Sequence, residues 1–261
     1  MILWILLITS FLGLLALTLR KMRIIKKDMV FQNDLIVEQE MEKAAEEPGN
    51  SGQDYEEATH NLESEKGEDA RGTLASARQN YLKGDMHFGR NEFDEAEGFF
   101  LAAIAADETH LDSHHKLGLM YLKKEDFQQA ELYFSKLVNL KKDAIYFSNL
   151  GAALYRQARL IEAAEAYENA IALDDKRAER LQSLAQVYHE LGDAEKALKY
   201  FELASRRKPK DNDLKIILVD YYEQVARLED AIEILKKILE SDPYNKEVKS
   251  RLRLIEKKSG F

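Results

Sequence analysis

The feature that most constrains this chain is a repeat. A small residue is followed twelve positions later by alanine, four further on by a large apolar residue and three beyond that by another apolar one. The first copy is Gly84, Ala96, Phe100, Ala103. The register returns at Gly118, Ala130, Phe134, Leu137, then at Gly151, Ala163, Tyr167, Ala170. It closes with Ala185, Ala197, Phe201, Ala204 and with Val219, Ala231, Leu235, Ile238. The alanine recurs at intervals of 34, 33, 34 and 34 residues, so five copies tile 77–245 without insertion. Fixed periods of this length mark stacked architectures, in which each unit is one supersecondary element that cannot bury its apolar face alone.

Each copy reads as two short helices. Leu117, Met120 and Tyr121 fall at i, i+3 and i+4; after the polar break KKED, Phe127, Ala130, Phe134 and Leu137 form a second helical stripe. Gly118 and Ala130 carry little or no side chain, which lets two helices approach closely while Tyr121 and Phe134 wedge against neighbours.

At these residues the sequence resembles the tetratricopeptide repeat (TPR) family: KLGLMY…QQAELYFSKL, NLGAALY…IEAAEAYENAI and SLAQVYHELGDAEKALKYFELA each carry its small-residue, aromatic and alanine slots. The resemblance implies an all-α, right-handed superhelical solenoid of five helix-turn-helix units, at 77–110, 111–143, 144–177, 178–211 and 212–245. A capping helix at 246–261 follows, with Val248, Leu252 and Ile255 on its inner stripe. Departures sit where one neighbour is missing: Asn80 and His87 fill apolar slots of the first copy, and Val219 fills the glycine slot of the last. Only the last two copies end on the family's proline, Pro209 and Pro243.

The resemblance further implies a concave groove, lined by the first helix of each pair, that takes a peptide or helical segment of a protein partner. Projected onto this chain, that face carries Tyr81 and Phe88, then His115, Leu119, Leu122 and Lys123. Ser148, Ala152, Tyr155 and Arg156 follow, and then Gln182, Gln186 and His189. Its C-terminal end is acidic through Glu179, Glu190, Asp213, Asp220 and Glu223. Complementarity predicts an amphipathic ligand with an acidic group near Lys123 and Arg156 and basic residues towards the fifth unit. The family's carboxylate clamp for chaperone tails finds only Asn149 in place, with His115, Leu119, Glu179 and Ser183 in the other slots, so that receptor role is not expected.

Ahead of the repeats, Met1–Leu19 has no charged side chain and, as a helix, spans roughly 28 Å, enough for a bilayer. No basic n-region precedes it and no clear small-residue cleavage site follows, so it reads as an uncleaved transmembrane anchor. Arg20, Lys21, Arg23, Lys26 and Lys27 come directly after it, which predicts a single-pass protein with its repeats facing the cytoplasm. This basic juxtamembrane segment can continue as helix through 20–47 until Pro48 and Gly49 stop it. Residues 48–73 read as an acidic disordered linker; 28–73 holds 14 acidic residues against 3 basic ones within a chain of net charge −9.

Other function classes find little support. The chain has no cysteine, which removes disulfides and thiolate metal sites. HLDSHH gathers His110, Asp112, His114 and His115, but His110 falls in a turn between repeats, and no HExxH, phosphate loop or GxSxG accompanies it. No catalytic residue, metal or cofactor is therefore expected. The capping helix carries Lys246, Lys249, Arg253 and Lys257 on its outer face, read here as a solvated face, and no nucleic-acid partner is expected. The layout is similar to bacterial inner-membrane repeat adaptors such as lipopolysaccharide assembly protein B, without that family's cysteine-bearing metal tail. This favours a scaffold in assembly of a complex at the bacterial inner membrane. A mitochondrial outer-membrane import receptor shares the plan, and an envelope-facing assembly factor fits if the topology is reversed.

Overall fold

The computed structural model describes residues 68–260. Among the described residues there are eleven α-helices and no strand. They are α1 (Glu68–Gly89), α2 (Phe93–Ala106), α3 (Leu111–Lys123), α4 (Phe127–Leu140), α5 (Ala144–Arg156) and α6 (Leu160–Leu173). Then follow α7 (Ala178–Glu190), α8 (Ala194–Arg207), α9 (Asn212–Gln224), α10 (Leu228–Ser241) and α11 (Lys246–Ser259). Each odd-numbered helix packs on the even-numbered helix after it, and each pair packs on the next, with α11 closing against α10.

The crossing within a pair depends on the small residue of the first helix. A β-carbon at Gly84 would lie 2.7 Å from the Phe100 ring, and one at Gly118 2.7 Å from that of Phe134. Those rings occupy the side-chain space the glycines leave empty. Phe100, Phe134 and Phe201 are fully buried, each contributing roughly 2–3 kcal/mol by leaving water. In the fifth unit the same place holds Val219, fully buried in one cluster with Leu235.

The turn inside each pair is the same device five times. Asn91, Glu125, Ala158, Gly192 and Ala226 all adopt positive φ, between 57° and 79°. The next amide closes the helix end: Asp126 N–H donates to the Tyr121 carbonyl at 2.9 Å, and Asp193 N–H to that of Tyr188 at 2.9 Å. This left-handed closure satisfies carbonyls that a helix end leaves open, and glycine adopts it without strain. Side-chain acceptors then start the following helices: Asp126 takes the Gln129 amide, Asp193 that of Lys196, and Asn245 that of Val248.

Adjacent units are tied by a carboxylate on each second helix. Glu97 of α2 accepts from the Tyr121 hydroxyl at 2.5 Å, and Glu131 of α4 accepts from Gln157 and Arg159. Glu168 of α6 accepts from Tyr188 and Glu202 of α8 from Tyr222. Burial, and then the carboxylate partner, push the phenols of Tyr121, Tyr188 and Tyr222 well above the usual range, so each donates as a neutral hydroxyl at any physiological pH.

Helix α1 differs from the expected layout. It begins at Glu68, inside the stretch read as linker to residue 73, because Leu74, Ala75 and Ala77 sustain helix and Ala77 is fully buried. The expected anchor at 1–19, the juxtamembrane segment at 20–47 and linker residues 48–67 lie outside the described residues. Among the described residues no helix is long and apolar enough to cross a membrane.

Candidate functional site

Successive first helices touch one another, α1 with α3, α3 with α5 and α5 with α7, whereas successive second helices do not pack comparably. The first helices therefore lie on the inner side of the curve, and their inward faces form the candidate groove.

Curvature changes what that face offers. Leu119 is 2% exposed, Gln186 5% and Ser148 6%, and Phe88 and Leu122 are also buried. Sequence projection puts these five on the lining, and the structure makes them packing residues instead. First helices close enough to touch cover side chains aimed along the array. Ser148 accepts from Arg180 Nε at 2.9 Å, and Gln186 Nε2 donates to Glu190 at 3.1 Å. His115 sits between the rings of Phe134 and Tyr146, at 6.1 and 5.3 Å, and its Nε2 accepts from Asn149 at 3.0 Å. Burial pushes this imidazole down to about 4, so it is neutral at pH 7.

Tyr81, Ala152, Tyr155, Gln182 and His189 remain partly open, and Lys123 is exposed. The Tyr81 ring leans on Phe100 and His110, at 6.0 and 5.3 Å. Tyr155 shares a hydrogen bond with Gln186, and burial raises its phenol. His189 meets Tyr221 edge-on at 5.5 Å. Lys123 Nζ lies over the rings of Phe88 and Phe93, at 5.6 and 6.0 Å. Arg156 stacks over Phe127 at 4.5 Å and reaches Glu125 at 3.4 Å. The open strip is thus aromatic and neutral-polar, with two cations at its margin held against aromatic faces.

The acidic end does not present the charge its sequence promised. Lys208 Nζ pairs with Glu179 at 2.5 Å, and Arg251 of α11 pairs with both Asp220 and Glu223. Burial alone would raise the Glu223 carboxyl, but the guanidinium outweighs it and holds the pKa below the ordinary value. Ligand basicity towards the fifth unit therefore loses most of its source. Arg251 and Lys116 are the groove residues that sequence reasoning missed. Each stands at the sixth place of its helix and reaches the ninth place of the preceding repeat unit, Asp220 and Asp85 respectively, the latter at 2.6 Å. A signal was present: Arg251 sits beside Val248, Leu252 and Ile255, at the border of the apolar stripe.

The clustered histidines are divided among separate tasks. His110 Nδ1 accepts the Ser113 amide at 3.2 Å and caps α3, while His114 Nε2 donates to the Glu108 carbonyl at 2.9 Å. Burial lowers the pKa of both. Among the described residues, no three His, Asp or Glu side chains are grouped so as to hold a metal ion.

Comparison with known proteins agrees with this architecture. The family model described as tetratricopeptide repeat matches residues 111–143 and 178–211. The second and fourth units are thus matched as tetratricopeptide repeats. Among solved structures, the MamA protein superposes with a TM-score of 0.60 at 24% identity, covering 65% of this chain and 96% of that one. YrrB, described as a TPR protein with an unusual peptide-binding site, gives 0.56 at 19% identity, covering 67% and 90%. Among curated proteins, anaphase-promoting complex subunit 3 of Schizosaccharomyces pombe is 24% identical over 147 residues, 56% of this chain and 22% of that protein. Human cilia- and flagella-associated protein 70 is 31% identical over 126 residues, 46% of this chain and 11% of that protein. The chain thus spans under a quarter of the length of either curated relative.

Proposed function

We propose that the chain is a scaffold that binds a peptide or helical segment of a protein partner along the strip of Tyr81, Ala152, Tyr155, Gln182 and His189. The observation that carries this reading is the contrast inside the groove. Charged groups there are largely engaged within the array, and aromatic and amide side chains of α1, α5 and α7 stay partly open, with small Ala152 among them. Such a surface suits an apolar or amphipathic segment that supplies its own backbone polarity. The peptide-binding description of the structural neighbour YrrB supports the same reading. Lys123 and Arg156 then act at the margin, steering an acidic flank of the ligand. No catalytic step is assigned to the chain.

We further propose that the repeats work beside a bilayer, held by the apolar run Met1–Leu19 and facing the cytoplasm, so that tethering raises the local concentration of the partner in assembly of a membrane-associated complex. The support is the sequence alone: nineteen uncharged residues followed at once by five cations.

A photocrosslinking side chain at Ala152 tests the groove against one at Ile161, which is 67% exposed on a second helix. Capture of one discrete protein from position 152, absent from 161 and weakened in the Lys123→Glu, Arg156→Glu double variant, supports it. Equal capture from both positions overturns it. Topology is tested with Ser51→Cys, which gives this cysteine-free chain a single thiol. Protection from an impermeant maleimide in intact cells, with labelling after permeabilisation, supports the cytoplasmic orientation. Labelling of intact cells reverses it.

A further inference from the structure

Many cations of the array meet a carboxylate, as Lys116, Lys124, Arg159, Arg180, Lys208 and Arg227 do, and those that do not are scattered over the units. The outer face of α11 departs from this. Lys246, Lys249, Arg253 and Lys257 are all exposed and make no ion pair with any described residue, whereas Arg251 and Lys258 of the same helix turn inward to Asp220 and Glu223. At about 100° per residue, the four unpaired cations fall within one arc of roughly 80°, opposite buried Val248 and Ile255, and span about 16 Å of helix. No acidic residue lies inside that arc. Glu256 stands about 20° beyond one edge and Glu247 about 80° beyond the other, and Lys236 engages Glu256 at 3.8 Å.

The same face also exposes apolar surface. Tyr244 is 87% exposed, with Lys249 Nζ 5.9 Å from its ring centre, and Leu254 is 58% exposed beside Ser250. A purely solvated cap has no need of an aromatic and a leucine among its cations. We propose that the outer face of α11 docks on an anionic lipid surface, with the four cations on headgroup phosphates and Tyr244 and Leu254 at the boundary between headgroups and acyl chains.

Shape decides between polyanions. The face is a single convex helix at the end of the array, and no other described element forms an opposing wall to hold an extended acidic chain or a duplex. A plane of headgroups meets all four cations at once. Tyrosine and leucine interleaved with lysine and arginine are what an interfacial helix carries. The net charge of −9 disfavours any polyanion that wraps the molecule, and an end-on contact presents only α11. Each cation near an anionic surface raises partitioning about fivefold, so the face acts as a weak, salt-sensitive contact. It depends on neither the peptide groove nor the anchor.

The full chain carrying Ser250→Cys, its single cysteine, is labelled with an environment-sensitive fluorophore and mixed with vesicles of phosphatidylcholine alone or with phosphatidylglycerol. The expected result is a blue shift on the anionic vesicles only, reversed by high salt. The variant with Lys246, Lys249, Arg253 and Lys257 all changed to Gln should need more than tenfold more lipid for the same shift. Carbonate-resistant flotation of the same samples reports the anchor separately, so failure of one reading is distinguishable from failure of the other. Equal emission on neutral and anionic vesicles, or a shift the quadruple variant retains, overturns the proposal. So does a larger shift with polyglutamate or duplex DNA at equal charge, which would assign the face to another polyanion.

Discussion

The second and fifth repeats solve the same helix crossing with different atoms. In the second, Gly118 yields its side-chain space to the Phe134 ring, and a β-carbon there would lie 2.7 Å from that ring. In the fifth, Val219 and Leu235 fill the corresponding places and both are fully buried. The small residue is therefore not a requirement of the fold. What the crossing requires is a fixed total volume, divided differently between the two helices.

If that is correct, the largest effect comes from forcing the fifth repeat's solution onto half of the second. Gly118→Val should lower stability by about 3 kcal/mol, because the valine must displace a buried ring. Adding Phe134→Leu should recover part of the loss, read as the urea midpoint at constant slope. Failure of the double variant to recover would break the volume argument.

A chemical contrast comes next. The second repeat carries His115 where the fifth has Ile216, and burial pushes that imidazole to about 4 against 6.5 in the unfolded chain. Between these values the unfolded state binds more protons, so stability is full above pH 6.5 and is lost as pH falls towards 4. The loss attributable to His115 should be on the order of 3 kcal/mol, and His115→Ile should flatten that part of the profile. An unchanged slope in the variant would assign the effect to His110, His114 or the carboxylates.

The smallest effect lies in the turns. Glu125 and Ala226 hold positive φ without being glycine, at 58° and 57°. Ala226→Gly should stabilise by about 0.5–1 kcal/mol, since relief of the left-handed strain outweighs glycine's added freedom in the unfolded chain. Gly192→Ala should lose a similar amount. A shift in thermal midpoint with the opposite sign in either variant would mean that the turn is held by its neighbours and not by its own conformational preference.

The pairing of helices was legible because it is local: Gly118, Ala130 and Phe134 lie within one unit, and close approach restricts which residues can occupy them. The TPR resemblance rested on those same slots. The groove was legible only in outline. Helix faces can be projected from sequence, but whether Leu119, Ser148 or Gln186 stays open depends on the distance between units, which no single unit encodes. The acidic end misled for a related reason. Asp220 and Glu223 read as ligand-facing charge, yet their partner Arg251 comes from 31 and 28 residues away in a helix otherwise full of solvated cations. The start of α1 at Glu68 was hidden by charge-rich composition, which lowers the expectation of order without removing helix propensity.

The carboxylates that tie each second helix to the next unit have a consequence for how the array comes apart. Each bond spans neighbours only, so opening proceeds unit by unit from an end and does not require the whole molecule to yield at once. At the C-terminal end, detaching α11 leaves Asp220 and Glu223 as adjacent like charges without their guanidinium, a state more costly than a frayed helix alone. Amide hydrogen exchange should accordingly show α11 and α9 exchanging on closely similar timescales, as one cooperative terminal block, while amides of α5 and α6 in the middle report a deeper opening.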